Sequence, residues 1–429
     1  MKKIAFSVCA LMFSMNSVYC EQYSTWSTPS SEIDETSVES DSNIKDSITF
    51  SSAYFESQYT NKQLANFGLE LTRGTARLED FITNNIDNEK RKRYTQWFAR
   101  AIYIFIYNAF EFAYHEIGHG LRVKAYGKDF QLTLDDDDDH SEFKKDQNFF
   151  KFFIKNIGNF DGAATWVQGL AILSATGEIK YTDLKEEEEL VFSAGGMNNE
   201  TYMTERITRD FHNRGRLSFY ESFSYFLGKL YPTGYALTNC EEGKENGFDP
   251  IRVENLYKKL GISATRNDIA SCGLVSFWLS GTTYSIMKSI FSPDKHVTPI
   301  SFYNFQAPDM FAYITSKGIS YRLVSAYKCL DNLKFLFGAE HVFRGKSTTE
   351  VHLGADISFW NTNLEFVTTF CNGFNIEAAC SINILDNLAI NIESGTYACK
   401  SMLGERHAKN LKDGKKRCSD IAVSISYRY

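Results

Sequence analysis

Residues 351–370 read VHLGADISFWNTNLEFVTTF, a stretch in which apolar residues alternate with mostly polar ones. A period of two is typical of a β-strand with one apolar face, because successive side chains point to opposite sides of the sheet. The polar segment 361–363 interrupts the alternation, which resumes at Leu364. The stretch therefore predicts two antiparallel strands joined by a tight turn. The apolar positions of the first strand are Val351, Leu353, Ala355, Ile357 and Phe359.

Similar alternating runs lie on both sides of this stretch. They occur around residues 319–327, 333–339, 376–384, 388–392 and 421–429, and turn-forming pairs such as Asp331-Asn332, Asn372-Gly373 and Asp386-Asn387 separate them. We expect an antiparallel meander, forming a β-barrel-like domain over residues 296–429, of about eight strands of roughly ten residues. Strands of roughly that length can cross a bilayer when they are tilted.

The C-terminal region resembles bacterial outer-membrane β-barrels, since its last alternating strand closes on the aromatic Tyr429. The resemblance implies a barrel in an outer membrane, so that a membrane is one expected partner. Aromatic residues make up 15% of the chain, which suits a protein at a membrane boundary. The alternation alone leaves open a soluble antiparallel barrel or sandwich with one face on the core.

The region before the meander has helical patterns, so the expected fold class is α+β. We predict a helical domain over residues 63–295, with helix over 63–126 that Gly127 ends. Two uncharged stretches, 162–177 and 269–287, follow. The second is long enough to span a bilayer, and a buried core helix is the alternative.

The N-terminus has the features of an exported protein. Lys2 and Lys3 precede a short apolar run, so we predict a signal peptide over residues 1–20. Residues 21–62 are rich in Ser, Thr, Glu and Asp, which predicts a flexible tether. Export indicates the cell envelope of a Gram-negative-type bacterium, in the periplasm or outer membrane. The net charge of −7, without a basic patch, argues against nucleic acid as a partner.

Residues 115–119 read His-Glu-Ile-Gly-His, a pattern that indicates metal binding and catalysis. On a helix, His115 and His119 lie one turn apart on the same face, so both imidazoles can bind one metal ion. Glu116 lies beside them, where it can take a proton from a water activated by Zn²⁺. The motif therefore predicts a zinc hydrolase.

The segment from His115 to Gly127 resembles the site-2 protease family of membrane zinc metallopeptidases. Two later patches are similar to segments of that family, namely Ser193-Ala-Gly-Gly-Met-Asn-Asn199 and Phe248-Asp-Pro250. The chain departs from the family pattern at Val123, Gly196 and Pro250. The resemblance implies that Asp249 is the third zinc ligand. It also implies that Asn198 or Asn199 orients water or a peptide carbonyl.

The residues themselves leave other third ligands open. Asp249 followed by proline is also a good helix N-cap. Glu200 or Glu205, on a helix predicted over residues 198–210, would be the ligand in a zincin of the thermolysin sort, unless they pair with Arg206 or Arg209. His212 is a further candidate.

The sequence thus predicts a zinc-dependent peptide-bond hydrolase of the cell envelope with a protein or peptide substrate. Glu116 would act as the base. The alternative is a non-enzymatic outer-membrane β-barrel protein whose metal motif is structural or coincidental.

Overall fold

The alternating residues of the C-terminal part form long antiparallel strands in a computed structural model of the chain. The structure describes residues 47–51, 61–128, 130–133, 142–144, 178–181, 184–238, 249–290, 297–371, 373–408, 410–411 and 416–428. The predicted signal peptide, most of the predicted tether and the stretch 162–177 lie outside these residues.

The main sheet combines an early strand with all the later ones. Its members are β1 (Ser47–Ser51), β5 (Ser301–Phe302), β6 (Phe305–Gln306), β7 (Asp309–Thr315), β8 (Gly318–Leu330), β9 (Leu333–Gly345), β10 (Thr349–Phe359), β11 (Thr362–Cys371), β12 (Gly373–Leu385), β13 (Leu388–Ala398) and β14 (Arg417–Arg428). A separate small sheet contains β2 (Phe130–Thr133), β3 (Glu142–Lys144) and β4 (Glu178–Tyr181).

The strands from β8 to β14 pair in sequence order, as expected of a meander. The full order is β1-β14-β13-β12-β11-β10-β9-β8-β6-β5, with β7 paired to β8, which gives an 11-stranded sheet. Ten of these strands lie within residues 296–429, where about eight are expected, and seven of the ten, β8 to β14, are 10–13 residues long. The α+β class and the antiparallel meander are confirmed. Within the described residues the sheet is open between β1 and β5, so the predicted closure into a barrel is not observed there. Because β1 pairs with β14, residues 47–51 belong to the sheet rather than to the tether.

Eight helices lie between β1 and β5 in the described sequence, and one short helix follows β13. They are α1 (Asn61–Asn84), α2 (Glu89–Ala125), α3 (Glu186–Ser193), α4 (Gly195–Arg214), α5 (Phe219–Leu237), α6 (Asp249–Lys259), α7 (Arg266–Trp278), α8 (Gly281–Ile290) and α9 (Met402–His407). Helices and strands pack within one compact unit, Ser47–Tyr429.

The long helix α2 has the ends that its sequence specifies. The side chain of Asn88 accepts a hydrogen bond from the backbone N–H of Arg91, which caps the first turn. The helix ends before Gly127, whose φ of 73° is the left-handed conformation that glycine adopts readily. The prediction that Gly127 ends this helix is confirmed, although residues 85–88 divide the predicted helix into α1 and α2.

The uncharged stretch 269–287 is interrupted in the structure. It contributes the later part of α7 and the first residues of α8, which are separated at Leu279 and Ser280. Over the described part of the chain, no helix combines the length and the apolar character that a membrane crossing requires. Ile269, Ala270 and Cys272 of α7 are buried in a core shared with Val253 and Leu256 of α6.

The polarity of the main sheet differs between its two faces. In β10, Glu350 and His352 are 0% and 3% exposed, whereas Val351 and Leu353 are 41% and 51% exposed. Strands β8, β9, β11, β12 and β14 have the same tendency, with buried polar residues and exposed apolar ones, whereas β7 buries Phe311 and Tyr313. The buried set includes Ser320, Arg322, Glu340, Thr369 and Asn375, and the exposed set includes Phe335, Phe366, Phe370, Ile421 and Val423.

Ion pairs join the polar face of the sheet to the helices. Arg322 of β8 donates to Glu205 of α4 at 3.0 Å, and both side chains are buried. Arg406 of α9 pairs with Glu340 of β9 through two hydrogen bonds of 2.6 and 2.5 Å. Buried charges require such partners, because an unpaired charge away from water is costly. Helices α4 and α9 are therefore fixed to the sheet by charge.

Candidate metal centre

Helix α2 brings the two histidines of the motif together. The imidazole centroids of His115 and His119 are 4.8 Å apart, and the two residues are 3% and 2% exposed. Their spacing of four residues puts both rings on one face of the helix. That face points into the protein, where the rings meet residues from four other helices, α3, α4, α5 and α6.

Asp249, the first residue of α6, faces both imidazoles. Its Oδ2 lies 2.9 Å from Nε2 of His115 and 3.1 Å from Nε2 of His119. The hydroxyl of Tyr235 also donates to this oxygen, at 3.4 Å. One ligand atom from each of the three residues lies within 4.8 Å of the others. A start of the helix at Asp249 and a ligand role for its side chain are compatible.

The Nδ1 atom of each imidazole forms a hydrogen bond on the side of the ring away from Asp249. Nδ1 of His115 lies 2.7 Å from Oε1 of Glu200, and Nδ1 of His119 lies 2.7 Å from the backbone oxygen of Phe192. Both partners are acceptors, so the hydrogen of each neutral ring belongs on Nδ1. The Nε2 lone pairs then point towards the carboxylate of Asp249, and three acceptors converge on one place.

Three acceptors with no hydrogen between them repel one another, so a proton or a metal ion must lie between them. Protons can supply the positive charge: although burial lowers the pKa of His115, the charges of Glu200 and Asp249 raise that pKa well above its usual value. The pKa of His119 is raised by Asp249 despite burial, and the pKa of Asp249 is lowered by both histidines despite burial. A divalent cation satisfies the same demand, and two imidazoles with one carboxylate are a donor set that Zn²⁺ accepts. The residues fit a zinc ion.

Glycines allow the two helices of the site to approach closely. A Cβ atom on Gly118 would lie 2.6 Å from the backbone oxygen of Gly195, and one on Gly195 would lie 2.7 Å from the oxygen of Gly118. A Cβ atom on Gly196 would lie 2.4 Å from Nε2 of His115. A side chain at position 196 would therefore collide with the ring of His115, and a side chain at position 195 would collide with the backbone of α2.

Glu116 is half-buried beside the cluster. Burial raises the pKa of its carboxyl, an effect that the positive charges of His119 and His115 oppose. A carboxyl with a raised pKa accepts and returns protons more readily near neutral pH than an ordinary glutamate does. Its position next to His115 in the chain is the one that the sequence predicts for a base.

The remaining predicted residues have diverse surroundings. Both polar atoms of the Asn198 side chain bond the backbone of Ile314, at 2.6 and 2.9 Å, so this residue ties α4 to β7. Asn199 donates to the backbone oxygen of Tyr114 at 2.9 Å, and its Oδ1 has no hydrogen-bond partner among the described residues. Oδ1 of Asn199 thus remains able to accept a hydrogen bond.

The other candidate ligands do not face the Nε2 atoms of the two histidines. Glu205 bonds Arg322 and Tyr313, and His212 bonds Asp309 at 2.9 Å. Glu200 contacts Nδ1 of His115, on the opposite side of the ring from Asp249. Nothing in the sequence reveals the carbonyl of Phe192 as a partner of His119, because a backbone oxygen carries no residue signature.

Comparison with known proteins found no matching family model, no matching curated protein and no matching solved structure.

Proposed function

We propose that the protein is a zinc-dependent peptide-bond hydrolase of the cell envelope. The observation that supports this most is the convergence of two imidazole Nε2 atoms on one carboxylate oxygen, with both Nδ1 atoms already facing acceptors. His115, His119 and Asp249 would hold the ion. Three protein ligands leave a coordination position open, which is typical of catalytic rather than structural zinc.

Zinc, when bound, supplies a Lewis acid that activates water and polarises a carbonyl. The chain supplies the proton transfer. Glu116, adjacent to the ligands and with a pKa raised by burial, would take a proton from water and return it to the leaving amine. Asn199, with an amide oxygen that has no partner among the described residues, is suited to orient water or a peptide.

The membrane is the second part of the proposal. The sheet exposes apolar side chains and buries polar ones, the reverse of a sheet that faces water on one side. Strands of 11–13 residues, such as β8 to β10, are long enough to cross a bilayer at a tilt. This polarity favours an envelope protein whose apolar face contacts lipid.

The test combines metal content with hydrolysis. We expect the purified full chain to bind about one zinc per molecule and to cleave an unfolded, fluorescently labelled casein. His115→Ala should lose both properties. Glu116→Gln should retain zinc but cleave about 10²–10⁴-fold more slowly, because it removes only the proton acceptor.

Three outcomes would contradict the proposal or part of it. A folded parent without bound zinc would exclude the metal centre. Zinc binding with equal cleavage by Glu116→Gln would exclude Glu116 as the base. Zinc binding without cleavage by the parent would instead favour the alternative, a non-enzymatic envelope protein with a structural metal.

A further inference from the structure

Glu200 places a carboxylate against the Nδ1 atom of His115. Its Oε1 lies 2.7 Å from Nδ1 of His115, and the residue is 2% exposed. The equivalent contact of His119 goes to the backbone oxygen of Phe192, also at 2.7 Å. One imidazole is therefore backed by a carboxylate and the other by a neutral carbonyl.

We infer that Glu200 is a positioning residue that orients His115 and strengthens it as a metal ligand. This inference rests on the proposed function, because it concerns the same metal. A carboxylate that accepts from Nδ1–H fixes the hydrogen on that atom and increases the basicity of Nε2. Since imidazole binds metals through a deprotonated nitrogen, the more basic Nε2 of His115 is the stronger donor of the two.

The surroundings of Glu200 hold its carboxylate in place. The residue belongs to α4, five residues after Gly195, whose close contact with Gly118 brings α4 against α2. Gly228 brings α5 against α4 as well, since a Cβ atom there would lie 2.6 Å from Cγ2 of Thr204 and 3.3 Å from the backbone oxygen of Glu200. Both neighbouring helices therefore limit how far the backbone of Glu200 can move.

Glu200, when ionised, adds a second negative charge to a site that already carries one. Two neutral imidazoles and Asp249 give a net charge of about −1 before metal binding, and an ionised Glu200 makes it about −2. A divalent cation would then be neutralised within the protein. Replacement of Glu200 by glutamine keeps an oxygen that can accept from Nδ1 but removes the charge, whereas leucine removes both.

The test measures metal binding rather than catalysis. Full-length Glu200→Gln and Glu200→Leu are compared with the parent by zinc competition against a chromophoric chelator. The visible absorption spectrum of the Co²⁺-substituted proteins is recorded as well. We expect the affinity to fall by about 10–100-fold, with leucine worse than glutamine, and the Co²⁺ spectrum to change because the His115 ligand is altered.

Glu205→Gln is the matched control. Glu205 is also a buried glutamate of α4, but it bonds Arg322 and Tyr313 rather than a histidine of the cluster. Its replacement should lower the melting temperature and leave both the zinc affinity and the Co²⁺ spectrum unchanged. Melting curves of the Glu200 variants show whether they fold.

The outcomes separate this inference from the proposed function. Zinc affinity and Co²⁺ spectrum equal to the parent in both folded Glu200 variants would overturn the positioning role while leaving the metal centre intact. Full loss of zinc in Glu200→Gln, together with normal zinc binding in Asp249→Asn, would overturn it in favour of Glu200 as the third ligand. Absence of zinc in the parent would overturn the proposed function and, with it, this role.

Discussion

At the scale of single residues, the most constrained position in the site is a glycine. A Cβ atom on Gly196 would lie 2.4 Å from Nε2 of His115, the atom that faces Asp249. Gly196→Ala should therefore push the ring out of position. We expect a loss of about 1–3 kcal/mol in the free energy of unfolding, and about 10–100-fold weaker zinc binding if relief of the clash displaces the ring.

Gly74→Ala is the control for that substitution. Gly74 lies within α1, and no atom lies within 4 Å of the position that its Cβ would take. Alanine there should stabilise the helix by about 0.5–1 kcal/mol and leave zinc binding unchanged. Calorimetric melting and chelator competition measure both variants. Normal zinc affinity in Gly196→Ala would show that the two residues are not in close contact.

The ionisation of the cluster predicts how the metal-free protein responds to pH. The raised pKa values of His115 and His119 contribute stability that is complete below the unfolded value of about 6.5 and is lost as the pH rises through the folded values. The lowered pKa of Asp249 contributes stability that is complete above the unfolded value of about 3.9 and is lost as the pH falls. The contribution is therefore complete between about pH 4 and 6.5.

The difference in melting temperature between the metal-free parent and Asp249→Asn reports this contribution. We expect the largest difference between about pH 4 and 6.5 and a decline at higher pH. Stabilisation by added zinc should increase over the same rise, because protons and zinc compete for the same nitrogen atoms. A difference that stays constant from about pH 5 to 9 would contradict the assignment of charge in the cluster.

At the scale of elements, buried ion pairs connect the helices to the sheet. Glu340 of β9 is 0% exposed and pairs with Arg406 of α9, and Arg322 lies 3.7 Å from the same carboxylate. Glu340→Leu would leave two arginines without this partner. We expect a loss of about 3–5 kcal/mol in the free energy of unfolding, measured by denaturant titration.

Lys258→Ala provides the comparison for an exposed pair. Lys258 bonds Glu254 at 2.7 Å, but its side chain is 62% exposed. Its removal should cost at most about 0.5 kcal/mol, because water screens and replaces the interaction. A similar cost for the two substitutions would mean that the polar face of the sheet is accessible to water.

The sequence reveals those elements whose signal is local. The alternation of β8 to β14 and the glycine after α2 are visible in short windows, and both were predicted. Strand β1 is not predicted, because its partner β14 is remote in the sequence and its own pattern is short. Strand β7, which forms a hairpin with the adjacent β8, and helix α9 are not predicted either. The same limit applies to the site, where the motif residues are local but the roles of Glu200 and Phe192 depend on how α3 and α4 pack on α2.

At the scale of the whole molecule, alternation in the sequence shows that a strand has two unlike faces without showing which one is buried. Val351 and Leu353 would be core residues in a sandwich, yet here they are the exposed ones. The reason is that the helices present charged side chains such as Lys62, Glu205 and Arg209 to the sheet, and these pair with Glu393, Arg322 and Glu365. Polar helices thus determine that the polar face of the sheet is internal.

A charged substitution on the exposed apolar face distinguishes a sheet that faces lipid from one that faces water. Leu353→Lys places a charge in the middle of the exposed apolar face. Against lipid it should cost about 2–4 kcal/mol near the bilayer midplane, so that co-sedimentation of the full chain with vesicles of phosphatidylethanolamine and phosphatidylglycerol falls. Against water the same change should be neutral and improve solubility.

Asn361→Lys, in the turn between β10 and β11, is the control and should leave vesicle binding unchanged. Equal vesicle binding by Leu353→Lys and the parent would mean that something other than lipid covers this face.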